Sequence, residues 1–188
     1  VVAGPGVNLL TEYDPDLGGH LSIVTAGPPA GVWLFRGGVW SLLSPDVPLN
    51  ARQTWRTIYS SYVPERHAHL ILDWPGNFVW LDARTLTWTP AVAAPEWIDS
   101  HTYDSARSRV WALHHDTDGV RVHIYDPATD SWSTPGTPAT VPPPPAYGKA
   151  ATAPMFRYVS AWDRCVFVWA DVGGGFQGGP TETWIYRP

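Results

Sequence analysis

The stretch EWIDSHTYDSARSRVWALHHDTDGVRVHIYDPATDSWST, residues 96–134, decides the fold. Its apolar runs are short and are separated by turn residues, and they span 96–104, 109–114, 120–126 and 131–134. In the third run Val120, Val122 and Ile124 alternate with Arg, His and Tyr, as in a strand with one buried face. An Asp-Pro turn then leads into the last run. The stretch predicts one antiparallel meander of four strands.

The same pattern occurs four times along the chain. Four segments align on a tyrosine without internal gaps: YDPDLGGHLSI from Tyr13, YVPERHAHLIL from Tyr62, YDSARSRVWAL from Tyr103 and YVSAWDRCVFV from Tyr158. A repeat of 49, 41 and 55 residues built from short strands is typical of a β-propeller. We therefore predict an all-β single domain, a β-propeller of four antiparallel four-stranded blades or part of a larger ring. The predicted blades span about 7–44, 54–92, 97–134 and 153–188.

The fourth repeat ends before its outer strand. The segment Val1-Val2-Ala3 could supply that strand and close the ring, which would remove two open sheet edges. The alternative is that the missing strand belongs to sequence outside these 188 residues. Because the chain starts at Val1, either a leader has been removed or the sequence is an excerpt.

Three segments carry a family resemblance: VHIYDPATDSWS from Val122, VWLDARTLTW from Val79, and DVGGGFQGG at 171–179 followed by TETWIYRP. Their order of glycine-rich turn, aromatic strand and tryptophan resembles the kelch repeat of galactose oxidase-type propellers. The resemblance covers nearly the whole chain and implies the propeller architecture. Kelch propellers usually have five to seven blades, so four blades is a departure. The cysteine-linked tyrosine and histidine ligands of copper radical oxidases are not matched residue by residue, so no cofactor is expected.

Composition excludes several classes of protein. The net charge is −5 and there is no basic stripe, so binding to nucleic acid phosphates is not expected. No apolar run reaches the roughly 20 residues that a membrane span needs. The single cysteine, Cys165, excludes an intrachain disulfide. We expect a globular module, with an extracellular or virion assembly as its context.

The longer predicted loops emerge on one side of the blades, and binding residues commonly lie on such loops. Our binding-face candidates are Trp74, His114, His115, Asp116, Asp118, Phe176 and Gln177. Among the twelve tryptophans, Trp40, Trp88 and Trp132 recur with the repeat and are expected to fill space between blades. Those outside the repeat register, Trp74, Trp97 and Trp162, are the candidates for stacking on a sugar. The PPPP run at 142–145 is expected to be a stiff connector.

Three metal-ligand residue types share one repeat position: His20, His69 and Cys165. They are the candidates for a shared ion, and His67 lies on the same predicted strand face as His69. Val110 fills this position in the third repeat, which favours an ordinary packing site. Asp116 and Asp118 precede a glycine as in a calcium loop, but an Asp-Gly turn explains the same letters.

No GxSxG, HExxH, CxxC or P-loop pattern is present. We therefore predict a non-catalytic binding or structural module that recognises a protein or glycan partner, with homo-oligomers or a larger assembly compatible with this role. The alternative is a glycan-active hydrolase or lyase. It would need two converging carboxylates, for which Glu12, Asp99 and Asp104 are the candidates.

Overall fold

The structure is a computed structural model that describes residues 10–25, 29–49, 59–73, 77–116, 119–135, 155–170 and 181–186. Within these ranges the chain forms strands, turns and two single-turn 3-10 helices, Pro64–Arg66 and Ser160–Trp162, and it contains no α-helix. No helix in the described part of the chain is long and apolar enough to cross a membrane. The closing strand suggested for Val1-Val2-Ala3 lies outside the described residues.

The chain divides into two compact units, Val1–Ala93 and Ala94–Pro188. In unit 1, blade 1 is an antiparallel meander of four strands: β1 (Leu10–Asp14), β2 (Gly19–Val24), β3 (Gly31–Arg36) and β4 (Val39–Ser44). Blade 2 follows with the same strand order: β5 (Tyr59–Val63), β6 (Ala68–Asp73), β7 (Asn77–Asp82) and β8 (Thr87–Pro90). The first strands of the two blades, β1 and β5, lie next to each other.

Unit 2 repeats this arrangement. Blade 3 consists of β9 (Ser100–Asp104), β10 (Arg109–Asp116), β11 (Gly119–Asp126) and β12 (Ser131–Ser133). Blade 4 has three strands among the described residues: β13 (Met155–Val159), β14 (Arg164–Ala170) and β15 (Thr181–Tyr186). The first strands, β9 and β13, are again neighbours. The predicted fold class, all-β with propeller-type meander blades, is confirmed.

Strand bounds differ from the prediction mainly in blade 3. We expected 96–104 to be one strand, but β9 starts at Ser100, with only the amide of Asp99 still bonded to the carbonyl of Leu113. We also expected 115–119 to be a loop. Instead β10 and β11 stay paired up to Asp116 and Gly119, because a two-residue connection lets an antiparallel ladder continue to its end. His115 and Asp116 therefore lie on a strand rather than in a loop.

One turn position is left-handed in every repeat. The residues five places after the repeat tyrosines are Gly18, His67, Ser108 and Asp163, with φ of 64°, 50°, 51° and 48°. This conformation reverses the chain between the first two strands of each blade and costs about 1 kcal/mol for a residue with a Cβ. The repeat therefore fixes a backbone conformation here, and it does so with four different residue types.

Each blade has two faces. We call the face that carries the repeat tyrosine the row face, and the other one the opposite face. In blade 2, Tyr62, His69, Leu81 and Trp88 lie side by side on the row face across the four strands. In unit 1 the opposite face of blade 1 packs against the row face of blade 2, in a core formed by Leu21, Ile23, Val32, Leu49, Ile71, Leu81 and Ala83. In unit 2 the opposite face of blade 3 packs in the same way against blade 4, in a core formed by Trp111, Leu113, Val120, Val122, Phe156, Cys165 and Phe167.

Candidate functional site

The seam between the blades of unit 1 contains a buried Ser-His-Asp chain. His69 Nε2 lies 3.0 Å from Asp14 Oδ2, and His69 Nδ1 lies 3.1 Å from Ser60 Oγ. All three residues are almost fully buried. The carboxylate favours the proton on Nε2, so the Ser60 hydroxyl donates to Nδ1. Because substrate cannot reach a buried serine, these three residues have no catalytic use. Their hydrogen bonds instead hold the two blades of unit 1 together.

The Asp14 carboxylate also caps the turn that follows it. Its Oδ1 accepts the amides of Asp16 and Leu17 at 2.8 and 2.9 Å. Burial alone would raise the pKa of Asp14, but the hydrogen bonds from His69 and these amides outweigh it, and the pKa is lowered. Asp14 is therefore a buried anion whose hydrogen bonds hold the seam.

In unit 2 an aspartate occupies the same repeat position. Asp104 Oδ1 accepts the amides of Ala106 and Arg107, and its Oδ2 accepts Trp111 Nε1 at 3.0 Å. Arg107 then bridges the seam with a bidentate pair to Asp163, at 2.7 and 3.0 Å. The hydrogen bond from Arg107 lowers the pKa of Asp163 to about 2. Both of these seams are explained by the packing of blades.

A third polar group lies at the end of blade 3 where β10 connects to β11, and the packing of blades does not explain it. Glu96 accepts two hydrogen bonds from Arg121, each 2.9 Å long, and one from His123 Nε2 at 2.5 Å. His123 Nδ1 lies 3.0 Å from Thr134 Oγ1. The hydrogen bond from Arg121 is the main cause that lowers the pKa of Glu96 to about 2, followed by burial, which opposes it, and by the bond from His123. Glu96 is therefore an anion at every physiological pH.

His114 extends this group towards a second carboxylate. Its Nε2 lies 3.7 Å from Glu96 Oε2, and its Nδ1 lies 3.8 Å from Asp99 Oδ2. Asp99 Oδ1 in turn accepts Trp97 Nε1 at 3.0 Å. We call Glu96, Trp97, Asp99, His114, Arg121 and His123 the blade 3 cluster. Glu96, Asp99 and Arg121 are each between one fifth and about one third exposed, so the cluster reaches the surface.

The blade 3 cluster breaks the repeat. The pairing of second and third strands places Trp33, Val79 and Trp184 at the position of His123, and Gly31, Asn77 and Glu182 at the position of Arg121. Residues that every blade needs for packing recur in every blade. A polar set that occurs in one blade is therefore not required by the blade architecture.

The comparisons with known proteins find no family model and no curated protein sequence that matches the chain. The blade 3 cluster therefore has to be interpreted from its own chemistry.

Of the predicted binding-face residues, the structure places His114 in the blade 3 cluster. Asp99, which was predicted as an enzyme candidate, belongs to the same cluster and lies beside His114. His115 and Asp116 continue β10 from the same place. Trp74, Asp118, Phe176 and Gln177 lie outside the described residues. Glu96, Arg121 and His123 were missed, although their departure from the repeat could have identified them. Arg121 and His123 lie on β11, and Glu96 lies in the segment before β9; the sequence predicted both stretches only as strands.

The three metal candidates have different environments. His69 uses both ring nitrogens in hydrogen bonds, Cys165 is buried, and His20 is exposed beside Tyr13. Burial is the main cause that raises the pKa of the Cys165 thiol to about 12. Among the described residues no three His, Cys, Asp or Glu side chains are arranged to hold a metal ion. At His69 and Cys165 the shared position is a buried site in a blade seam.

Proposed function

We propose that this chain is a non-catalytic recognition module of kelch-like blades that binds a glycan or protein partner through the loop end of blade 3. The observation that carries the proposal is the blade 3 cluster, a partly exposed set of polar groups that the repeat does not require. Its members depart from the repeat while neighbouring residues of β10 and β11 form the core, as expected where a rigid scaffold carries function near its loops.

The chemistry of the cluster suits a ligand rich in hydroxyl groups. The carboxylate of Glu96 and the guanidinium of Arg121 offer acceptors and donors in fixed directions, because their hydrogen bonds to each other and to the buried His123 hold them in place. Trp97 stands beside them as an aromatic side chain with a polar edge that is bonded to Asp99. A rigid polar set next to an aromatic side chain can bind with little loss of side-chain entropy. This favours a glycan over a purely apolar partner surface.

A glycan-active enzyme is the second candidate, because Glu96 and Asp99 flank His114 within one cluster. Hydrolysis of a glycosidic bond needs a carboxylic acid that keeps its proton near neutral pH. The pKa of Glu96, lowered to about 2, leaves no proton to donate. Asp104, an earlier candidate, is buried and accepts hydrogen bonds from its own turn and from Trp111. These features support binding over acid catalysis.

The experiment is a glycan panel probed with the purified chain, followed by calorimetry on each glycan that binds. We expect Arg121→Ala to weaken binding at least about tenfold, because it removes a donor pair and frees Glu96 from its fixed position. Arg84→Ala is the matched control, since Arg84 forms a comparable pair with Asp82 in unit 1 and should leave binding unchanged.

Product analysis on the same samples separates the two candidates. Binding without new reducing ends or unsaturated products supports the recognition module. Turnover that Glu96→Gln and Asp99→Asn abolish would replace it with the enzyme. Equal binding by the wild type and Arg121→Ala would show that the ligand lies elsewhere on the molecule.

A further inference from the structure

The two oxygens of the Glu96 carboxylate accept unequal numbers of hydrogen bonds within the described part of the chain. Oε1 accepts two, from Arg121 Nε at 2.9 Å and from His123 Nε2 at 2.5 Å. Oε2 accepts one, from Arg121 Nη2 at 2.9 Å, and His114 Nε2 lies 3.7 Å from it, beyond hydrogen-bond length. Because each carboxylate oxygen has two lone pairs, Oε2 has a place for one more donor.

A ligand that binds beside Glu96 must bring a hydrogen-bond donor. The side chain is 28% exposed, so the carboxylate lies at the surface of the cluster. The hydrogen bond from Arg121 is the first cause that lowers the pKa of Glu96 to about 2, so this carboxylate accepts hydrogen bonds and has no proton to donate. A sugar hydroxyl supplies the donor, whereas the carboxylate of an acidic sugar would bring a second negative charge against the first.

The other charged groups of the cluster favour the same kind of ligand. The cluster contains two carboxylates, Glu96 and Asp99, and one guanidinium, Arg121. Two nitrogens of this guanidinium bond Glu96, so an acidic ligand would have to compete with Glu96 for them. Asp99 Oδ2 lies 3.8 Å from His114 Nδ1 and is a second negative group in the same place.

A buried histidine holds Glu96 from the interior of the blade. The side chain of His123 is 4% exposed, and its Nε2 donates to Glu96 Oε1. Its Nδ1 lies 3.0 Å from Thr134 Oγ1. The carboxylate favours the proton on Nε2, so the Thr134 hydroxyl donates to Nδ1. Thr134, which directly follows β12, thus fixes the ring that fixes Glu96, and through Glu96 the direction of Oε2.

In blades 1 and 2 apolar residues replace this pair of imidazole and hydroxyl. The same two positions of the third and fourth strands hold Trp33 and Leu42 in blade 1, and Val79 and Pro90 in blade 2. Residues that the packing of blades requires would recur. The hydrogen bond between the two side chains in blade 3 therefore serves the cluster rather than the architecture.

We propose that the blade 3 cluster binds a neutral, hydroxyl-rich sugar and rejects acidic sugars, with Glu96 Oε2 as the acceptor that selects the ligand. Thr134 is a positioning residue that acts through His123. The inference rests on the proposed function, because it concerns the ligand of the same cluster.

The test is calorimetry with the glycan panel, extended by the uronate counterpart of each neutral member. The matched pairs are oligosaccharides of glucose and glucuronate, of galactose and galacturonate, and of mannose and mannuronate, with the same linkage in each pair. We expect a neutral member that binds to do so at least about tenfold more tightly than its uronate, because like charges are brought together in the uronate complex.

Glu96→Gln keeps the size of the side chain and one acceptor oxygen but removes the charge. It should weaken binding of the neutral sugar and reduce the preference over the uronate to less than about threefold. Asp82→Asn is the matched control, since Asp82 forms a comparable pair with Arg84 in unit 1 and should leave the preference unchanged. The wild-type preference is measured without any substitution, so it decides the inference even if Glu96→Gln does not fold.

Thr134→Val should weaken binding of the neutral sugar by roughly threefold to tenfold, and Thr134→Ser, which keeps the hydroxyl, should restore it. Thr134 is exposed, so neither change disturbs the core. If Thr134→Val binds as well as the wild type, or Thr134→Ser does not restore binding, Thr134 is not a positioning residue.

Two results would separate this inference from the proposed function. Uronates that bind as tightly as the neutral sugars, with binding still weakened by Arg121→Ala, would overturn the inference and leave the recognition module in place, because Arg121 rather than Glu96 would then select the ligand. A panel in which no glycan of either kind binds would overturn both.

Discussion

The two units hold their blades together with the same aspartate and different partners. Asp14 and Asp104 both end the first strand of a unit, and both cap the following turn with Oδ1. In unit 1 the second oxygen bonds His69 across the seam. In unit 2 the residue at the position of His69 is Cys165, and the crossing is made by Arg107 and Asp163. The backbone role of the aspartate is therefore fixed by the repeat, and its partner across the seam is not.

The difference also shows that the repeat has a longer period than one blade. Tyr13 and Tyr103 are followed by Asp and by a turn capped by its carboxylate, whereas Tyr62 and Tyr158 are followed by Val and by a 3-10 turn. The equivalent tyrosines are 90 and 96 residues apart. The natural building block is a pair of unlike blades, and each pair is joined by one polar seam.

The largest expected effect is in the unit 1 seam. Asp14→Ala removes the acceptor of a buried histidine and the cap of a turn, so we expect a loss of about 3 kcal/mol in the free energy of unfolding. Urea unfolding followed by tryptophan fluorescence measures it. Ser60→Ala, which removes only the outer hydroxyl of the same chain, is the control and should cost less. An Asp14→Ala protein as stable as Ser60→Ala would contradict the role given to this carboxylate.

A smaller loss, about 2 kcal/mol, is expected for Asp104→Ala in unit 2. This change removes the cap of the turn, the acceptor of the buried Trp111 Nε1 and one hydrogen bond from Arg107. Arg107 keeps its bidentate pair with Asp163 across the seam, which limits the loss. The same urea experiment, run beside Asp14→Ala, measures the difference between the seams. If Asp104→Ala lowers the free energy of unfolding more than Asp14→Ala does, the pair of Arg107 and Asp163 does not hold the seam of unit 2 as we describe.

Substitutions at the left-handed turn position should change the stability still less. They can be made from glycine to another residue and from another residue to glycine. Gly18→Ala should cost about 1 kcal/mol, since a Cβ there meets no atom within 4 Å and only the positive φ is unfavourable. Ser108→Gly, at the equivalent position of blade 3, should gain up to about 1 kcal/mol. Thermal unfolding of both variants measures the two effects. Melting temperatures that shift in the same direction would show that local contacts outweigh the backbone conformation.

The last change should have the smallest effect, because it removes an ion pair whose aspartate side chain is 49% exposed to solvent. The pKa of Asp163 is lowered to about 2 in the fold, so its contribution to stability is complete above the usual aspartate value near 4 and is lost as the pH falls towards 2. We expect Asp163→Asn to flatten the fall in melting temperature between about pH 4 and pH 2. Asp46→Asn, on a surface loop outside the seams, is the control. A wild-type curve that is unchanged by Asp163→Asn would show that Arg107 does not stabilise this carboxylate.

Much of the fold follows from the sequence, because alternating apolar residues and turn residues at a fixed spacing act locally. The tyrosine repeat located all four blades, each of which contains a meander of three or four strands among the described residues. Strand ends were less predictable, since β9 begins where pairing with β10 begins rather than where the apolar run begins. Pairing is a property of two strands, and one segment alone does not reveal it.

The candidate site was predicted only in part. His114 was predicted as a binding residue because it lies next to a loop. Asp99 was predicted as a catalytic candidate because it lies on a predicted first strand. Glu96, Arg121 and His123 come together because the chain leading into β9 lies against β11, which no local pattern shows. The buried pair of Asp14 and His69 was missed for the same reason, since 55 residues separate its members.

Cys165 gives this chain a built-in reporter. It is the one thiol among the 188 residues, and it lies buried in the core between blades 3 and 4. A thiol reagent can modify it only when that core opens, so labelling kinetics in the native protein would time the opening of unit 2 alone. Unit 1 contains no thiol and stays silent in this assay, so its opening can be followed separately after a cysteine is introduced at Ile71, in the equivalent core.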